Sequence, residues 1–273
     1  MSLPGGLVGP DGVVDRTYTW KPVDGAVESA LAEAAAVPNR AEATSRALAA
    51  ALDRLGGADA SRALVDSLCV PDRRFLMIEL GRRLNLSAGW SSSACEACGE
   101  LFDFPLDLAQ LPVQPARGTV AVATIAGERR ALRIPTGADQ LRIAALDDDE
   151  EAERILAALC IALRPNENVP ALAARLSPDD LAAIEEALEE AAPQIPWAIE
   201  ANCPACSAAH AIAIDVSAWL SRMAAGPIAD VHEIASAYRW SERDILALPR
   251  RRRLEYLELI RGDAMPGENV EFA

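Results

Sequence analysis

The chain has 273 residues, 51% of them apolar, with 41 Asp and Glu against 26 Lys and Arg and a formal net charge of −15. That apolar content excludes disorder as the dominant state and is enough for one large core or two modest ones. The acidity argues against non-specific nucleic-acid binding, which needs an excess of Lys and Arg to meet phosphates, so proteins are the expected partners.

Residues 1–16 are rich in Gly and Pro and are expected to form a loose, flexible lead-in. Two Ala-rich helices are predicted over 26–36 and 41–55, with Val37-Pro38-Asn39 as the turn between them and Gly56-Gly57 as the stop. A third helix spans 60–68. Pro71, whose fixed φ suits a first helical turn, opens a fourth that carries Phe75, Leu76, Ile78, Leu80 and Leu84 at helical spacing and should pack on a sheet. Leu86, Ala88 and Trp90 then alternate with polar neighbours, as do Phe102, Phe104 and Leu106, which predicts a β-hairpin with Cys95 and Cys98 at its tip.

Residues 112–117 form a short linker, and 120–134 reads as a hairpin turning at Ala126-Gly127. Helices are predicted over 139–146 and 150–163, followed by a loop near Pro165. Ser177-Pro178-Asp179-Asp180 marks a helix start, with an N-cap serine and an acidic first turn. That helix reaches Ala192, where Pro193 and Pro196 stop it. Ile199 and Ala201, then Ala211 and Ala213, flank Cys203 and Cys206 as strands. In the tail, Val231, Ile234, Ala235 and Tyr238 make one amphipathic helix, Ser241 to Asp244 resembles a capping box for a second, and Pro249 opens a third that ends before Gly262. Three such helices can mimic a helix-turn-helix. On so acidic a chain, though, the Arg250 to Arg253 run reads better as a solvated face or a docking patch for an acidic protein than as a DNA contact.

Two stretches look like copies of one another. Cys98 to Asp107 and Cys206 to Asp215 are both nine residues, and Pro71-Asp72 and Pro178-Asp179 each lie nineteen residues before a tryptophan, Trp90 or Trp197. Trp20-Lys-Pro22 and Ile134-Pro135 each place a proline between a strand-like and a helical run. The period is far too long for a solenoid. The expected fold is therefore α+β: internally duplicated helix-plus-hairpin units over 17–111 and 118–220, joined at a zinc-ribbon-like four-cysteine site, with a C-terminal three-helix module over 227–262.

The first residues, Met1-Ser-Leu-Pro-Gly-Gly, lack the layout of a signal peptide, and no apolar run approaches a membrane span, so a cytoplasmic location without membrane contact is expected. In that reducing compartment, paired Cys-x-x-Cys more often means metal or redox chemistry than disulfides. Structural zinc takes four ligands, with Zn–S near 2.3 Å, and each hairpin supplies two. Cys95, Cys98, Cys203 and Cys206 are the candidate ligands. Gly99 and Ser207, following each second cysteine, suit a tight knuckle whose amides face the sulfurs.

The gap from Cys98 to Cys203 is long for a zinc ribbon, but two hairpins related by a pseudo-two-fold axis would bring both tips together. The ion would then clamp the halves, and its binding energy would become folding energy. A thioredoxin-like dithiol needs a strand before the pair and a helix after it, whereas here a strand follows. A thiol oxidoreductase is the alternative from another class, and pairs left unmetallated or disulfide-bonded stay open. Thiolates also admit iron.

His210, four residues after Cys206, offers a replacement ligand but reads better as a strand-surface residue, and His232 as a surface or interface residue of the tail. Cys69 and Cys160, in apolar helical runs, read as small core residues, and Trp90 and Trp197 as core packing. The chain has no Gly-rich phosphate loop and no Gly-x-Ser-x-Gly, and with only two histidines it is expected not to be an enzyme. The acidic runs at 147–151 and at Glu185, Glu186, Glu189 and Glu190 most simply solvate helix faces.

Several passages resemble a known family. They are Ala201-Asn-Cys203-Pro-Ala-Cys206 with Ile214-Asp215-Val216; the tail from Val231-His232 through Tyr238-Arg-Trp240-Ser241 to Ile245-Leu246-Ala-Leu248-Pro249; Tyr256-Leu-Glu-Leu-Ile260; and Leu132-Arg-Ile134-Pro135-Thr136-Gly-Ala-Asp139. Together they look like the baseplate proteins related to T4-like phage hub assembly chaperones, found in phages and in phage-tail-like contractile injection systems. The likeness covers about residues 20–261 and is most specific in the tail. The first knuckle departs from it, with Glu96-Ala97 where a proline is commoner.

The resemblance implies a non-catalytic assembly factor that binds baseplate hub or spike subunits, or, alternatively, a permanent baseplate subunit. The amphipathic tail then offers Val231, Ile234, Tyr238, Trp240, Ile245, Leu248, Tyr256 and Leu257 as partner contacts. The competing expectation is that these residues pack the tail onto its own body.

Overall fold

The computed structural model describes residues 1–9, 11–161 and 167–262. The loop expected near Pro165 and residues 162 and 163 of the helix expected over 150–163 lie outside the described residues, and that helix ends at Cys160, where Ile161 turns extended. The chain opens not with a loose lead-in but with an antiparallel pair, β1 (Ser2–Val8) and β2 (Val14–Trp20). Here the glycines serve a close approach. The Asp72 carboxylate accepts the Gly5 and Gly6 amide N–H groups at 2.7 Å each. A Cβ on Gly5 would stand 2.9 Å from Asp72 Oδ2, and Gly6 has a φ of +94°, so only glycine suits both places.

Helix α1 (Gly25–Ala35) is capped by the Asp24 side chain and α2 (Arg40–Ala51) by that of Asn39, with the expected turn between them. The predicted helix over 41–55 ends early. Its last four residues form β3 (Leu52–Leu55), which pairs with β2, and β4 (Ala58–Asp59) folds back on β3 to complete a sheet of order β1-β2-β3-β4. Helix propensity would continue α2, but burial of Leu52 and Leu55 in the core decides for strand.

Helix α3 (Arg62–Ser67) and α4 (Val70–Arg83), with Pro71 in its first turn, follow. The buried Arg73 guanidinium donates to Ala41 O at 3.0 Å, Ser45 Oγ at 2.9 Å and Val65 O at 3.2 Å, so three helices converge on one side chain. Next come the first hairpin, β5 (Ala88–Ala94) and β6 (Leu101–Asp107), and a 3-10 turn over Leu108–Gln110.

A second run begins with β7 (Val120–Ile125) and β8 (Glu128–Arg133), turning at Ala126 (φ +50°) and Gly127 (φ +79°). Positive φ at both turn residues matches the right-handed twist of a two-residue hairpin. Helices α5 (Gly137–Ile143), α6 (Asp149–Cys160), α7 (Val169–Ala173) and α8 (Pro178–Ala191) follow. Thr136 with Asp139 caps α5, and Ser177 with Asp180 caps α8. Then come β9 (Ala198–Asn202), β10 (Ala209–Ala213) and a 3-10 turn over Ala218–Met223. The order of hairpin, two helices, extended segment, two helices, hairpin and 3-10 turn is thus run through twice. The Leu132–Ile161 bridge stands in the second run where β2–β3 pairing stands in the first.

The larger core collects β2, α1, α2, β3 and α4; the smaller packs β7 and β8 against α6, α7 and α8. The boundaries expected at 111 and 220 do not separate these cores. Ile195, Ile214, Val216, Trp219, Leu220 and Met223, all late in the second run, are buried in the larger core with α4. Arg74 of α4 also reaches across, donating to Pro196 O at 2.6 Å and Ile214 O at 3.2 Å. The base of the second hairpin is therefore anchored on the first run.

The tail forms α9 (Ile228–Tyr238), α10 (Glu242–Leu246) and α11 (Arg250–Arg261) around a small core of Ile234, Ile245 and Leu257. It docks on α1 through charge: the buried Glu28 carboxylate accepts from Arg250 at 2.7 Å and from the fully buried Arg253. Two members of the arginine run are thus committed to an internal contact. Among the described residues, no helix is long and apolar enough to cross a membrane.

Candidate metal centre

The two hairpins face one another through their inner sides. Alternation along β6 turns Phe102 and Phe104 inward, and alternation along β9 and β10 turns Ala201 and Ile212 inward, making a small apolar cluster with Cys95 and Cys203. This packing brings the tips into register from sites more than a hundred residues apart. Cys95 Sγ lies 3.6 Å from Cys206 Sγ, and Cys98 Sγ lies 3.8 Å from Cys203 Sγ. All four sulfurs are within 4.8 Å of one another. A tetrahedron with metal–sulfur bonds of about 2.3 Å has edges of about 3.8 Å, so the donor set fits a four-thiolate ion.

Each tip is the same knuckle. In the first, the Cys95 N–H donates to Glu100 O and the Gly99 N–H to Cys95 O, both at 2.8 Å; in the second, the Cys203 N–H donates to Ala208 O at 2.9 Å and the Ser207 N–H to Cys203 O at 2.8 Å. The residue after each second cysteine has positive φ, +77° at Gly99 and +61° at Ser207, as a chain doubling back over its own sulfurs requires. The first cysteine of each pair is buried and the second exposed.

Electrostatics separates the thiols. Burial works against ionising Cys95, but the Cys98 amide and thiol and the Ala97 amide outweigh it and bring the group down to about 6. At Cys98 the Glu100 amide favours the thiolate, yet the neighbouring Cys95 and Cys206 sulfurs push it up to about 12. Cys206 is likewise raised by Cys95 against the pull of the Ala208 amide. Four sulfurs this close cannot share several negative charges without a cation among them.

His210 does not sit idle on the strand surface: its Nε2 lies 3.1 Å from Cys95 Sγ. Its place four residues after Cys206 was legible, whereas its contact with the opposite knuckle was not. Trp90 and Trp197 are not core residues; they are 74% and 59% exposed. Trp197 instead lies against the Arg74 guanidinium, 4.3 Å from the ring centroid. The buried tryptophan of this region is Trp219, which follows the second hairpin. Cys160 is buried and its thiol is pushed up to about 12 by that burial. Burial also raises Cys69, whose thiol meets Asp72. Both are poor nucleophiles.

The tail residues predicted as partner contacts divide. Ile234, Ile245 and Leu257 are the buried core of the module itself and do not face outward, because three short helices have little else to bury. Val231, Leu248 and Tyr256 are half-buried. Tyr238 and Trp240 are exposed and stack at 5.2 Å, with Tyr256 edge-on to Trp240 at 4.9 Å, forming one aromatic patch. His232 is on the surface of α9. No protein-family model, curated protein or solved structure matches this chain.

Proposed function

We propose that Cys95, Cys98, Cys203 and Cys206 hold one structural zinc ion. On this reading the chain is a non-catalytic assembly factor for the baseplate hub of a phage-tail-like contractile injection system. The observation that carries the metal reading is the sulfur geometry, with separations of 3.6 and 3.8 Å contributed equally by two distant knuckles. Zinc would supply the positive charge that lets all four thiols ionise, and the site is then zinc-ribbon-like. We also read the two runs as copies of one unit. The repeated element order, the shared nine-residue spacing and the matching knuckle hydrogen bonds support this.

The assembly role rests on the resemblance, on the acidic surface, and on the patch of Tyr238, Trp240 and Tyr256, whose large faces suit a protein partner. Element analysis of the purified chain tests the metal: one zinc per chain supports a joint site, and none rejects it. Co-expression with the hub and spike subunits of the same particle tests the role. A stable complex that loses affinity on Trp240→Ala supports it, and absence of any complex rejects it. Stoichiometric recovery of the chain in purified particles would instead favour a permanent baseplate subunit.

A thiol oxidoreductase is favoured by one observation, the lowered Cys95 thiol. Alkylation of the metal-loaded chain separates the readings, because slow, protected thiols exclude dithiol redox chemistry.

A further inference from the structure

We propose that His210 donates its Nε2–H to the Cys95 sulfur and thereby secures one thiolate of the metal centre, acting as a positioning residue and not as a ligand. This rests on the four-thiolate reading above and extends it to the residue that sets how tightly the ion is held.

The argument begins with position. His210 lies on β10, paired with Ala201, on the strand face turned toward the first hairpin. The equivalent place in the first hairpin, four residues after the second cysteine, is Phe102, which is buried and whose ring centroid is 6.2 Å from that of His210. The two hairpins thus match in their knuckles and differ here, one contributing an imidazole and the other an apolar wall against it. Among the described residues, Cys95 is the one knuckle sulfur with a hydrogen-bonding side chain other than cysteine beside it, at 3.1 Å.

Charge gives that contact a purpose. Four thiolates around a divalent cation leave an excess of two negative charges, on a chain already at −15. Exposed Cys98 and Cys206 can spread their share into water, whereas buried Cys95 and Cys203 cannot, and of these two Cys95 has the imidazole beside it. A buried acceptor of that kind needs donors, and a hydrogen bond to a charged sulfur is of the stronger class. An imidazole with its proton on Nε2 supplies one. The shell has no need of His210 as a ligand, since the four sulfurs already lie within 4.8 Å of one another and close a tetrahedron. A side chain that orients a ligand from outside in this way is typically worth 10–100-fold in metal affinity.

The test uses the full chain with zinc and with cobalt(II) in its place, comparing wild type with His210→Ala and His210→Gln. Chelator competition should show His210→Ala binding zinc about 10–100-fold more weakly at unchanged stoichiometry. In the cobalt form, loss of the hydrogen bond should move the sulfur-to-cobalt charge-transfer band to lower energy with four-thiolate intensity kept. His210→Gln, which retains an N–H donor, should recover part of both effects.

Unchanged affinity and spectrum in His210→Ala would overturn the proposal. So would a wild-type cobalt spectrum of three-thiolate intensity whose ligand-field bands collapse in His210→Ala, since that would make His210 a ligand. Failure of the underlying metal reading looks different: wild type itself would then hold no metal.

Discussion

The Trp219 indole N–H donates to the Met77 carbonyl oxygen at 3.1 Å, joining the 3-10 turn that ends the second run to α4 of the first. Its Nε1 stands 2.8 Å from where a Cβ on Gly81 would be, so the indole occupies the space that a side chain at 81 would need. The relationship explains why two similar stretches do not fold as two separate bodies: the larger core is closed by residues of the later stretch.

Trp219→Ala should therefore lower stability by about 3–5 kcal/mol, the usual cost of emptying a large aromatic site. Gly81→Ala should cost about 1–3 kcal/mol by overpacking the same contact. Trp90→Ala, at a position expected to be core and found 74% exposed, should change stability by no more than about 0.5 kcal/mol. Urea unfolding of the three variants checks the ranking, and equal losses at Trp90 and Trp219 would contradict it.

Removal of one partner from the charge cluster under α1 should release the tail. Glu28 is 3% exposed and faces Arg250 and Arg253, while Asp230 lies 3.6 Å from Arg253 Nε. Glu28→Gln leaves a buried guanidinium without its main carboxylate, a change that typically costs about 3–5 kcal/mol. Limited proteolysis should then cut between the 3-10 turn and α9 before the body is attacked. A double variant, Glu28→Leu with Arg253→Met, should restore much of the resistance.

Acid should act partly through Glu42. Hydrogen bonds from Arg62, then Arg46, hold its carboxyl near 2 against an ordinary 4.5. A carboxyl lowered on folding contributes stability that is fully present above its unfolded value and is lost as pH falls through its folded one. Glu42→Gln should thus be the less stable chain near pH 6, by about 1 kcal/mol for so accessible a pair. The difference should shrink between about pH 4.5 and pH 2 and vanish below, and unfolding curves at several pH values will show it.

Chelation should loosen the hairpin tips without unfolding the chain. Leu106, Leu108 and Ile199, near the hairpin bases, pack in or against the larger core, a cluster separate from the one that holds Cys95 and Cys203. Far-UV circular dichroism should keep most of its helical signal, while the knuckle cysteines, no longer held by an ion, are alkylated faster than in the metal-loaded chain and the amides of β5, β6, β9 and β10 exchange faster. Global unfolding on chelation would mean that the metal organises far more than the tips.

Much of the chain was legible where the governing rule is local. The Ala126-Gly127 turn, the Ser177 cap, the three tail helices and both cysteine knuckles follow from residue types a few positions apart. The misreadings have a common cause. Gly5 and Gly6 suggest looseness because what they make room for, Asp72 at Gly5 and Val14 and Arg16 at Gly6, lies in other elements. Residues 52–55 looked helical because nothing nearby announces β2 as a partner. Trp90 and Trp197 read as core from their equivalent places beside the hairpins, but what covers a tryptophan is not written in its neighbours.

By itself the sequence determined the periodicities, the caps and two equal Cys-x-x-Cys pairs, since these depend on spacings that any extended or helical backbone preserves. Only the tertiary structure decided that the two cysteine pairs meet, that His210 touches Cys95 across the hairpins, and that Ile234, Ile245 and Leu257 face one another rather than a partner. The physical reason is that an apolar or ligating face specifies that something must cover it. Which distant surface does so is settled by how whole elements pack.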